Sequence, residues 1–223
     1  MRGGVTTVQR WLAILIVAAI LPVLWLEPLT AAASGEDAEA RLQSFLDETR
    51  SLDAAFRQEV QAADWGADEL RVGRFLAEKP GRFRWDYEEP FVQNIISNGE
   101  TVWYYEPDLK QATRAPWSRL EKTPAAFLSA GGRMRDSFQV MVVSNKRLGL
   151  PAVKLIPKSA EGAIVEIVVT LHPERPEIAE LEMVDNLNNR SFFTFQEMRR
   201  NGDIAADRFR FTPPAGVDVV DHQ

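Results

Sequence analysis

The chain has no cysteine and only two histidines, His172 and His222, in 223 residues. The first absence excludes disulfides, thiolate-held zinc, iron–sulfur clusters, a cysteine nucleophile and lipid attachment through a cysteine. The second leaves little for imidazole-based metal or triad chemistry. His172 sits beside Pro173 in a turn and His222 is the penultimate residue, so both read as solvated loop positions. An excess of positive charge is missing too. The formal net charge is −6, whereas phosphate binding needs a basic footprint, and no nucleic-acid partner is expected. Glycine and proline, thirteen of each, stand at ordinary frequency, which removes collagen-like and low-complexity readings. No G-x-S-x-G, phosphate loop or metal-spaced His/Asp/Glu cluster occurs. Gly131-Gly132 lacks the strand, Lys and Ser/Thr of a phosphate loop and reads as a helix stop. Glu88 and Glu89 occupy adjacent strand positions that point to opposite faces, a poor acid/base pair. The expectation is a protein that is not an enzyme and needs no cofactor or metal.

What is present begins with an address. Arg2 and Arg10 precede an apolar run, Trp11–Leu26, followed by the small residues Ala31-Ala32-Ala33. This is the order of a secretory signal peptide, residues 1–33, with Ser34 as the first mature residue. The run is shorter than the roughly 20 residues that span a bilayer, and Pro22 interrupts it. Residues 34–223 then read as one exported domain, and hydrophobic residues at 45% with charged residues at 26% suit a folded core. Without a cysteine the mature chain cannot itself be acylated as a bacterial lipoprotein.

The domain reads as a helix and then strands. Ser34 caps a helix near Glu36, and Ala38, Leu42, Phe45, Leu46 and Thr49 recur at helical spacing. From Leu52 the period drops to two. Phe83, Trp85 and Tyr87 alternate with Arg82, Arg84 and Asp86, placing three aromatics on one strand face. Asn98-Gly99 joins strands at 91–97 and 101–106, with Trp103, Tyr104 and Tyr105 in the second. Parity separates Trp103 and Tyr105 from Val102 and Tyr104 without saying which pair faces inward. Thr123-Pro124 opens a short helix, 124–130, that carries Phe127 and Leu128. Strands continue to a last one at Phe209–Thr212. About ten or eleven antiparallel strands make a mainly β (α+β) domain whose sheet must curl into a partly open barrel. An aromatic stripe of this kind suits either a filled barrel core or an apolar pocket.

EKPGRFRW at 78–85, SNGETVWYYEPDLKQAT at 97–113 and RFRFTPPAGV at 208–217 resemble the periplasmic outer-membrane lipoprotein carrier family, LolA. Their order covers nearly all of the mature chain. The resemblance implies an unclosed antiparallel β-barrel with a helical lid over a hydrophobic cavity. It implies a monomeric periplasmic carrier that takes triacylated lipoproteins from an inner-membrane ABC transporter to an outer-membrane receptor. A sensor or other lipid-binding protein on the same barrel is the alternative. The outer-membrane acceptor shares the fold, but it should be lipidated, and this chain has no cysteine. By the resemblance Phe83 is the residue that engages partners and passes on cargo, beside the cavity residue Trp85. Tyr87, Trp103 and Tyr105 join the acyl-chain lining, and Leu42, Phe45, Leu46, Phe127 and Leu128 form the lid's inner face. Where the family commonly has Arg before the turn proline, this chain has Lys79. That Arg bonds lid carbonyls. Lysine lacks the planar fork, so a weaker or relocated latch is expected.

Overall fold

Ala38, Leu42, Phe45 and Leu46 fall on one side of a helix, α1 (Gly35–Glu48), and all four are buried. The computed structural model describes residues 35–63, 69–117, 127–129, 131–159 and 163–222. The expected signal peptide lies outside them. Of the expected helix 124–130, residues 127–129 are described and helical. One further helical turn, α2 (Met134–Ser137), follows Gly131 and Gly132, whose φ angles of 82° and 97° lie where glycine is favoured.

The alternating segments form β1 (Ser51–Gln61), β2 (Glu69–Glu78), β3 (Arg82–Glu89) and β4 (Gln93–Asn98). Next come β5 (Thr101–Glu106), β6 (Gln111–Pro116), β7 (Phe138–Ser144) and β8 (Pro151–Pro157). The set ends with β9 (Ile164–Leu171), β10 (Ile178–Asp185), β11 (Arg190–Arg200) and β12 (Asp218–Asp221). All lie in one 12-stranded sheet of order β12-β6-β5-β4-β3-β2-β1-β11-β10-β9-β8-β7. Its two edges, β12 and β7, do not pair, so the barrel stays open. Every pairing is antiparallel except β12 on β6. The sheet is two meanders joined along β1 and β11, with Phe56 opposite Phe195 and Gln58 opposite Phe193.

The expected last strand at Phe209–Thr212 is not one. Ala206–Phe209 is a 3-10 turn, and the strand is β12, short and fully exposed. Phe209 is buried against the outer face of the sheet, where Leu76 and Ile96 are also buried. The Arg82 guanidinium lies 5.8 Å from the Phe209 ring. Alternation at 208–212 therefore reflects one face of a packed strap rather than strand pairing. The main core lies on the opposite, concave face, between the sheet and α1.

Candidate functional site

Register fixes the concave face. Phe75 pairs with Trp85, Trp85 with Ile95, and Ile95 with Tyr104. The neighbouring row runs Ala77, Phe83, Ser97, Val102. Around Trp85 the rings of Phe75, Phe56 and Phe193 stand at 4.6, 5.1 and 5.2 Å. Tyr87 meets Phe56 edge-on at 5.2 Å. Gly73 makes this crowding possible, because a Cβ there would sit 1.9 Å from the Asp86 carbonyl oxygen and 2.9 Å from the Phe56 ring.

Leu42, Phe45 and Leu46 from α1, with Phe127 and Leu128, are buried in the same cluster as Phe83 and Trp85. The lid therefore lies directly on the concave sheet, side chain against side chain. Each large side chain so buried contributes about 1.5–3 kcal/mol. Trp103 and Tyr105 are a correction. They face the outside of the sheet and pack on Phe211 at 5.5 and 5.0 Å, while Val102 and Tyr104 face inward. The outer face is apolar here because the C-terminal strap covers it, so parity alone did not mark the inner side.

Polar contacts hold α1 at both ends. The Lys79 ammonium donates to the Leu46 carbonyl oxygen. Lysine at this position thus reaches a lid carbonyl despite lacking the fork. Burial is the first cause that lowers its pKa, and the Arg200 charge adds to it against the opposing pull of Asp47. Arg200 Nε donates to Thr49 Oγ1 at 2.9 Å, and its guanidinium lies 4.7 Å from the Phe45 ring. Asn201 Nδ2 donates to the Glu48 carbonyl at 2.9 Å. Cations and donors at a helix C-terminus suit its dipole. Near the other end Arg41 donates to the His172 carbonyl at 2.7 Å, and Arg135 grips both Glu39 oxygens at 2.6 Å. Sequence reasoning missed Arg200 and Asn201, because Asn201-Gly202 reads as turn punctuation and nothing in it names the end of a helix 153 positions earlier as its partner.

Among the described residues, no group of three or more His, Cys, Asp or Glu could hold a metal ion. No described helix is long and apolar enough to cross a membrane.

An open antiparallel half-barrel, aromatic on its concave side and covered by a clamped helix, defines a lidded apolar trough. A family model described as outer membrane lipoprotein carrier protein LolA matches residues 47–212. The outer-membrane lipoprotein carrier protein of Methylococcus capsulatus is 35% identical over 82% of this chain and 87% of its own. That of Methylibium petroleiphilum is also 35% identical, over 88% and 97%. A LolA superfamily protein of Nitrosomonas europaea, known as a crystal structure, has a TM-score of 0.48 at 14% identity, covering 78% and 97%. The chain belongs to the LolA family of outer-membrane lipoprotein carriers.

Proposed function

We propose that this protein carries lipoproteins through the periplasm, shielding their acyl chains on the concave face beneath α1. The observation that carries this reading is the burial of Leu42, Phe45 and Leu46 against Phe83 and Trp85. Two apolar surfaces meet there without a covalent tie other than the chain itself, so apolar cargo can replace one of them. Each acyl CH₂ left in water costs about 0.8 kcal/mol, so three long chains cannot cross an aqueous space uncovered. The carrier supplies the cover and no chemistry. An ATP-driven transporter in the inner membrane delivers the cargo, and an outer-membrane receptor, where one exists, takes it. Lys79 and Arg200 act as the latch that α1 must leave when cargo enters. Relatives that match over most of the chain bear the carrier name, and no observation favours the sensor alternative.

The test is release from spheroplasts that synthesise a labelled triacylated lipoprotein and contain the cognate transporter. Adding the purified exported protein should move label into the soluble fraction as a one-to-one complex, and only with ATP. Folded protein that releases none would overturn the reading.

A further inference from the structure

The concave face changes character toward the end remote from Lys79. Past Tyr87 its positions are taken by Arg71, Gln93, Glu106 and Gln58 instead of aromatics. A pocket of about 440 Å³ opens there, lined in part by Tyr87, Glu106, Asp108 and the tips of two turns, Phe91 and Leu109. Phe91 is 70% exposed and Leu109 67%. Both turns, β3–β4 and β5–β6, lie at the same end of the sheet. Tyr87 belongs to this pocket and to the aromatic cluster, stacked on Trp85 at 6.4 Å, so the two regions are continuous.

Two buried polar atoms stand at the junction without hydrogen-bond partners: Trp85 Nε1, a donor, and Gln58 Oε1, an acceptor. Such atoms are rare in folded proteins and each costs about 1–3 kcal/mol. An ester or amide carbonyl can accept from the first, and an amide N–H can donate to the second. Beyond them the pocket is acidic. Glu69 is paired with Arg71 at 2.9 Å, whereas Glu106 and Asp108 carry no ion pair among the described residues. Gln93 Nε2 donates to Glu106 at 3.5 Å.

Resting on the carrier reading, we propose that the trough holds its cargo in one direction. The acyl chains lie toward α1, and their ester and amide groups reach Trp85 and Gln58. The polypeptide that bears them leaves between Phe91 and Leu109. The unpaired carboxylates favour a basic residue close to the lipid-bearing cysteine and oppose contact with an anionic membrane surface.

A synthetic triacylated lipopeptide with a photoreactive residue beside its cysteine tests the direction. Crosslinks should fall within 87–93 and 106–109; crosslinks confined to 131–134 overturn the proposal. In a second arm, lysine-rich and glutamate-rich versions are titrated at low salt. The basic version should bind about fivefold more tightly, and the Glu106→Gln/Asp108→Asn protein should erase the difference. Equal affinities for the unaltered protein overturn the proposal. An altered protein that keeps the preference but loses ATP-driven release assigns the pocket to the transporter, which also overturns it. Failure to bind either lipopeptide removes the carrier reading, and this inference with it.

Discussion

Tyr87 is held between Phe56 and Trp85, and burial pushes its hydroxyl up to about 12. In the unfolded chain a phenol ionises near 10. Between those values the unfolded state releases a proton that the folded state keeps, so stability falls as pH rises. Tyr87→Phe removes this contribution. Denaturant unfolding at pH 9 and pH 11 should show the variant losing about 1.4 kcal/mol less than the parent across that interval. Identical losses would sink the assignment. The same residue shows why some positions were legible in the sequence and others were not. In β3 the aromatics alternate with Arg82, Arg84 and Asp86, so one face is unmistakable. In β5 both faces carry aromatics, because Tyr104 meets the lid side and Trp103 meets Phe211.

At the scale of elements, α1 was legible from its apolar spacing and its clamp was not. Arg200 and Asn201 lie at the far end of the chain, and local sequence carries no sign of a partner that distant. The hydrogen bonds from Lys79 and Arg200 hold α1 more firmly than its short length could. Arg200→Met and Lys79→Met should each speed amide exchange in 42–48 while leaving β1 protected, by a local free-energy loss of about 1 kcal/mol. Exchange that rises equally in α1 and β1 would mean global destabilisation and no clamp. β12 escaped sequence reading for another reason: four exposed residues on an edge leave no burial pattern to read.

For the whole molecule the sheet has two covered faces, the lid on one and the C-terminal strap on the other. Phe209→Ala uncovers Leu76 and Ile96 and should cost about 3–5 kcal/mol, read as a shift in denaturation midpoint. A shift equivalent to less than about 1 kcal/mol would show that the strap merely rests there. The seam between the meanders has a temporal meaning as well. β1 finds its second neighbour only in β11, so Phe56 waits for Phe195 and Leu52 for Arg200. Contacts so distant along the chain form late. As the chain is synthesised, the strands from β1 to β6 arrive first and lack the neighbour that completes them. The native sheet closes only once β11 has emerged, so the first meander spends most of the chain's synthesis with one long edge bare and its aromatic face only half enclosed.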